Sequence, residues 1–553
     1  MTDDPSGRPA DSPARALPEA PSVRPADDPA RALQEAPSGR AAGLPTRALQ
    51  EELTRRRLLG LAGASAAGVA GVGIAACSSD GTTRPALVKQ AADMSSGPPF
   101  VSRPDLTPPR VTIRRHGAPA APRYIFLNAP FSGPGHGGSY ILDHHGHFVW
   151  FGPNTSTHRR MNFDVQTFKG KPVLTWFQGL VVQGYGKGHL IIADDSYKIR
   201  HVIRPAHGEL ADFHDFYVTP QGTAFITIYR THSGIDLTSH RGPKNGYVIS
   251  GVAQEIDIAT GALIWEWDSL NHVPLHESHE FLSPGEGTRA QPYNYFHINS
   301  FSPAGDSSGD VLISGRNTWA IYRVKRNKAG TVVWRLNGKK SHFNMGPGSH
   351  FYWQHHVRAF DGGNRITVFD NGAKPDKEKH SRAIILHLDP AHRHASLQKA
   401  YIHPGEVLLA GAMGSAQLLG DGRMFVGWGT EPHFSEFSHD GRLLLDGSIT
   451  VGDSSYRAFT RAWSGHPSEP PVAAARHRSG GATVFASWNG ATNVASWRVF
   501  AGKSRSALHE VGSGRRSGFE TAIAVRSKGP YFAVQARDAK GKVLAKSAPV
   551  KIG

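Results

Sequence analysis

Histidine and arginine recur in this chain at one kind of place, at or just ahead of a short apolar strand pattern. His214 precedes Asp215-Phe216, and His297 and Asn299 stand in Phe296-His-Ile-Asn299. Arg316 lies in Ser314-Gly-Arg-Asn317, and His355 in Trp353-Gln-His-His356. A lone histidine on a strand is ordinarily a satisfied structural residue. Three at matching phases, with a guanidinium that stays charged and imidazoles that titrate near neutrality, point to an anion site. The total of 30 histidines does not by itself make a metal site, and neither a metal nor a cofactor is expected.

Such residues meet only if the fold brings distant strands to one axis. Residues 110–465 read as all-β: short alternating runs are divided by Gly, Pro, Asn and Asp, with almost no helical period. One unit recurs, an apolar strand, a turn built on Gly, and a second apolar strand. It is seen at 215–227, 357–368 and 416–426, more weakly at 166–175, and with an insertion at 300–314. Outer strands follow, as in Ala253-Gln-Glu-Ile-Asp257 before Ala262-Leu-Ile-Trp265. Five such units, with a sixth at Tyr140–Asp143 and Phe148–Trp150 closed by the chain ends, predict a six-bladed β-propeller whose ring protects its sheet edges. Innermost strands converge on the central axis, so residues at equivalent blade positions can meet there. After Pro470 the pattern becomes a small β-sandwich over 470–553. Its segment Tyr531–Asp538 resembles the tyrosine-bearing strand of fibronectin type III domains, with Trp488 as a core residue.

The chain resembles the arylsulfotransferase family in the stretches DFHDFYVTPQGTAFIT (212–227), FHINS (296–300), LISGRNTWAIYRV (312–324), WQHHVRAFDGGNRITVFDNGA (353–373) and GSAQLLGDGRMFVGWGTEPHFSEF (414–437). The likeness covers about residues 110–460. It implies a six-bladed propeller that moves a sulfuryl group from an aryl sulfate donor to a phenolic acceptor, through a sulfohistidine and without a nucleotide donor. By that likeness His355 is the nucleophile. Arg316 and Asn299 donate to the sulfuryl oxygens, joined by protonated His214 or His297, and a second histidine exchanges the phenolic proton. The family commonly has an acidic residue after the nucleophile, and here it is His356. Either the partner role has changed or His356 faces the other side of its strand.

Other chemistries fit less well. A formylglycine sulfatase needs Cys or Ser, then Pro two residues on, then Arg. Cys77 is followed by Ser78-Ser79-Asp80, and Ser102-Arg-Pro-Asp105 lacks the arginine. A nucleotide-dependent sulfotransferase needs a Gly-rich phosphate loop opening a helix, and none is visible. Asp257–Gly261 with Trp265 gives only one good copy of a quinoprotein docking repeat. The strongest alternative is a non-catalytic propeller that binds phenolic or glycan sulfates at the cell surface.

Ahead of the propeller the sequence reads as an export apparatus. Residues 1–53 are a low-complexity leader with a 16-residue repeat marked by Pro13–Leu17, Pro29–Leu33 and Pro45–Leu49. Residues 54–77 carry Arg55-Arg56, an uncharged stretch from Leu58 to Ala76, and Ile74-Ala-Ala-Cys77, which resembles a bacterial lipobox. Cys77, the only cysteine, is the expected lipidation site, and 78–109 reads as a tether. The expected location is the outer face of the bacterial cytoplasmic membrane, held by the lipid. The leader's Arg and acidic residues balance, so the net charge of +17 belongs to the mature chain. From His466 onward fourteen Lys and Arg face four Asp and Glu, which makes anionic envelope polymers a candidate partner and nucleic acid an unlikely one.

Overall fold

The computed structural model describes residues 100–117, 123–129, 137–373, 375–449 and 454–553. The leader, the twin-arginine segment and Cys77 lie outside the described residues. The described chain is all-β, with helix confined to short 3₁₀ turns such as Ser269–Asn271. None of its helices is long and apolar enough to cross a membrane.

Six antiparallel sheets form the blades of the propeller. Blade 1 takes its innermost strand from the far end of the domain: Ala458–Arg461 pairs with Tyr124–Ala129, followed outward by Gly138–Leu142 and Phe148–Pro153. Blades 2 to 6 begin with inner strands Arg159–Phe168, Phe216–Val218, Ile298–Pro303, His355–Phe360 and Ser415–Leu418, each followed by three more strands in chain order. The recurring glycine-turn unit is the hairpin between the first and second strands of a blade. At 219–222, for example, the Thr219 N–H donates to Thr223 O at 2.9 Å, and Gly222 takes φ +85°, a conformation that favours glycine. Alternate side chains of each strand enter the packing between blades. Phe225, Trp267, Phe296 and Tyr322 share one such cluster, and Ile321, Leu336, Ile366 and Leu386 another.

Three additions were not legible as strands. Val111–Arg115 becomes a fifth, outermost strand on Leu443–Ile449, and Tyr293–Asn294 and Asn344–Met345 pair in parallel with strands of blades 3 and 5.

The C-terminal unit is a sandwich. Val472–Arg478, Gly481–Ser487 and Glu520–Val525 form one sheet, and His509–Arg515, Ser496–Gly502, Tyr531–Arg537, Val543–Lys546 and Val550–Lys551 the other. Val484, Trp497, Phe532 and Val534 fill its core. Trp488 packs half-buried against that core, and its Nε1–H donates to Glu469 O at 2.6 Å.

The sandwich is fastened to blades 1 and 2. Asn489 pairs through its amide with both backbone groups of Phe151, at 2.8 and 2.9 Å. Tyr197 stacks on Trp150 at 5.2 Å and donates its O–H to Gly490 O at 2.7 Å. Residues 100–106, expected to belong to the tether, also pack here. Phe100 stacks on Phe519 at 4.3 Å, the Val101 N–H donates to Glu520, and Leu106 is buried among blade 1 residues. Apolar Phe100 and Leu106 give this part of the segment enough surface to dock, which its Ser and Pro content conceals.

Candidate active site

Inner strands of a propeller all start on one face, and their antiparallel second strands end on that same face. This places the chemistry-bearing residues together. His214 lies two residues before Phe216–Val218, His297 just before Ile298–Pro303, and His355 opens its own strand. Arg316 follows the second strand of blade 4, and because Ile298 pairs with Gly315, its N–H donates to His297 O at 3.0 Å.

Each histidine is held differently. His355 is buried, its Nδ1 2.7 Å from Asn371 Oδ1. The Asn371 amide is oriented by donating to Ala410 O and Met413 O, both at 3.0 Å. Its oxygen therefore faces the imidazole, Nδ1 carries the proton, and the ring lone pair is on Nε2. Met413 N–H meets that lone pair at 3.2 Å, a long bond that is easily given up. Burial, then the Arg316 charge, hold His355 well below its ordinary pKa, so the ring is neutral at pH 7.

His214 is paired to a carboxylate. Its Nδ1 lies 2.7 Å from Asp212 Oδ2, which also accepts from the His214 backbone N–H and the Thr227 hydroxyl. Phe213 and Tyr456 flank the ring, and the Tyr456 O–H donates to His214 O. The Asp212 carboxylate accepts from His214 and fixes Nδ1 as a donor, which leaves Nε2 as the free ring nitrogen. His297 stands against it, ring centroids 4.8 Å apart and nearly perpendicular. Asn294 Nδ2 faces His297 Nδ1 at 2.9 Å, which places the proton on Nε2. Burial, His214 and Arg316 push its pKa well down, so His297 is a neutral N–H donor. Its backbone sits at φ +54°, a conformation uncommon for histidine.

Arg316 supplies the charge. Its Nη1 donates to Asn317 Oδ1, its Nη2 to Gly411 O, and it lies 4.9 Å over the Trp353 ring. It makes no ion pair with a carboxylate among the described residues. A largely buried guanidinium held by neutral groups retains its affinity for an anion.

Asn299 and His356 are each tied to a neighbouring blade. Asn299 gives one amide N–H to Gln354 O at 2.6 Å, tying blade 4 to the residue before His355 and fixing the plane of the amide. His356 is not beside His355: a bulge between His355 and Arg358, with His356 at φ +51°, sends its ring towards Ala416 and Phe459. The acidic-neighbour role therefore does not pass to His356. Asn371 and Asp212, both inside the stretches that carry the resemblance, were missed because their partners appear only in three dimensions.

Beneath the cluster lies a buried ionic knot. Asp215 receives Arg358 at 2.9 and 3.0 Å, Arg457 at 2.8 Å and the Phe301 N–H at 2.7 Å, joining four inner segments at the axis. Burial pushes its carboxyl up, but the two guanidiniums outweigh this and hold it at about 2.

A family model described as arylsulfotransferase (ASST) matches residues 164–450. No curated protein matches the chain. Among solved structures, a protein of unknown function from Bacteroides caccae is similar at 12% identity and TM-score 0.36, over 62% of this chain and 99% of that one. A catalytically inactive virginiamycin B lyase from Staphylococcus aureus with quinupristin is similar at 7% identity and TM-score 0.33, over 69% and 97%. Apo AztD from Citrobacter koseri is similar at 10% identity and TM-score 0.28, over 62% and 99%.

Proposed function

The chain belongs to the arylsulfotransferase family, and from that premise we propose that it transfers a sulfuryl group from an aryl sulfate to a phenolic acceptor through a covalent sulfo-His355. The observation that carries this reading is the Asn371 contact, which leaves His355 neutral with its lone pair on Nε2. In the first half-reaction Nε2 attacks sulfur, the bond from sulfur to the aryl oxygen breaks, and His214 Nε2–H protonates the departing phenolate. Nδ1–H stays on Asn371 Oδ1, so the sulfonated ring needs no other proton acceptor. The acceptor phenol then gives its proton to His214, its oxygen attacks sulfur, and the S–N bond breaks. Arg316, the neutral His297 N–H and the Met413 N–H released from Nε2 are the donors for the equatorial oxygens, where positioning and charge stabilisation supply most of the catalysis.

The test uses 4-nitrophenyl sulfate with a phenol. Ping-pong kinetics and a trappable sulfuryl label on His355, absent from His355→Ala, are expected. A sequential mechanism without label removes the covalent step. The binding-only alternative draws on the Met413 N–H occupying the lone pair, and binding of aryl sulfate with neither label nor turnover would establish it.

We also propose export by the Arg55-Arg56 signal and lipidation at Cys77, with the enzyme on the outer face of the bacterial cytoplasmic membrane. Replacing both arginines by Lys should strand precursor in the cytoplasm, and Cys77→Ala should release the protein. Membrane retention of Cys77→Ala at high salt would sink the lipid anchor. The sandwich is proposed to be fibronectin type III-like and to lie against anionic envelope polymers. Loss of the intact protein from cell-wall material as salt rises is the expected readout.

A further inference from the structure

The inner strands continue past the ionic knot to a cavity at the opposite end from His355. It has a volume of about 650 Å³ and is lined by residues of all six inner strands, at 164–167, 216–218, 302–303, 356–360, 416–418 and 459–461. None of His214, His297, Arg316 or His355 lines it, whereas His356 does.

Its charges do not balance. Lys169, Arg358, Arg457 and Arg461 stand on the wall against only Asp164 and Asp215. Arg461 is matched by Asp164 through two bonds of 2.8 Å. Arg358 and Arg457 must share Asp215, and Lys169 makes no ion pair among the described residues. Burial first, then the neighbouring guanidiniums, hold the His356 ring neutral. Arg457 is 1% exposed, and its Nε, buried, has no hydrogen-bond partner. A buried guanidinium N–H left unpaired is costly unless something accepts from it. Tyr217, Phe360 and Phe459 supply aromatic wall beside these cations. The volume falls in the range of pockets that enclose small organic ligands and exceeds what a bare inorganic anion fills.

We infer that this far mouth of the channel is a second, non-catalytic binding site for an aromatic monoanion, an aryl carboxylate or aryl sulfate whose charged group meets Arg358 and Arg457 and whose ring lies against Phe459. The occupant shares the Asp215 guanidiniums and is held away from His355, which does not line this cavity. The site is independent of the transfer reaction at the other face.

Calorimetric titration of the purified full chain with 4-nitrobenzoate, which has no sulfuryl group to give, tests the assignment. Saturable binding should persist within about twofold in Arg316→Ala. It should be lost in Ala359→Trp, which adds bulk at the cavity wall, while 4-nitrophenyl sulfate turnover continues. Lys169→Glu, on an exposed turn, should weaken binding roughly threefold to tenfold at low salt and less at high salt, and it keeps the test decisive if the tryptophan variant fails to fold. Phenyl sulfate titrated into the double variant His355→Ala/Arg316→Ala separates the sources: binding of that probe alone assigns the site to aryl sulfates, and binding of 4-nitrobenzoate alone to aromatic acids. Absence of binding of both probes overturns the proposal. So does binding that disappears in Arg316→Ala while surviving in Ala359→Trp or Lys169→Glu.

Discussion

Which nitrogen of His355 carries the proton is decided by Asn371, whose amide is itself fixed by Ala410 O and Met413 O. Asn371→Ala removes the acceptor for Nδ1–H, so kcat should fall at least tenfold, about 1.4 kcal/mol, with KM little changed. An unchanged kcat would show that Met413 alone sets the ring. Arg316→Ala should lose about 2.7–4 kcal/mol of transition-state stabilisation, by analogy with a deleted oxyanion donor. Donor-site labelling at long times should survive, because the nucleophile is intact. His214→Ala should be most damaging for donors with basic phenols and should be partly rescued by 4-nitrophenyl sulfate, whose phenolate leaves unprotonated. Equal loss across leaving groups would argue against His214 as the acid. The three histidines were legible because they recur near the starts of inner strands, with Arg316 close by where a second strand ends on the same face. Asn371 and Asp212 were not, since each earns its role from a hydrogen bond rather than from its place in a pattern.

Among elements, the hairpins joining the first and second strands were readable from their glycine turns, and the closing of blade 1 by chain ends followed from counting them. The bulge at His355–Arg358 was not readable. Period-two alternation alone cannot foresee a histidine at φ +51°. Nor were the parallel pairs at Tyr293–Asn294 and Asn344–Met345, which lie in the connections from blade 3 to blade 4 and from blade 4 to blade 5. Four inner segments are joined by Asp215 through Arg358, Arg457 and the Phe301 N–H. Asp215→Asn leaves two buried guanidiniums without a counter-charge and should cost about 3–5 kcal/mol in chemical denaturation. A change under 1 kcal/mol would mean that water or a bound anion already balances the arginines.

At the scale of the whole molecule, stability should follow pH through the buried imidazoles. His297, His355 and His356 are all held well below the ordinary histidine value, by burial first. The unfolded chain takes up protons near pH 6.5 that the folded one refuses. Stability is therefore full above that value and falls as pH drops below it, by up to about 1.4 kcal/mol per pH unit for each histidine. Urea midpoints at pH 7.5, 6.0 and 5.0 should fall in that order, and a flat series would contradict the burial of these rings. The innermost strand of blade 1, Ala458–Arg461, is made roughly 330 residues after its partner Tyr124–Ala129. At about 5–20 residues per second, that partner waits on the order of half a minute on the ribosome with a bare hydrogen-bonding edge. The ring cannot close until translation of the domain is nearly complete, so Tyr124–Ala129 stays an unpaired edge for almost the whole of its synthesis.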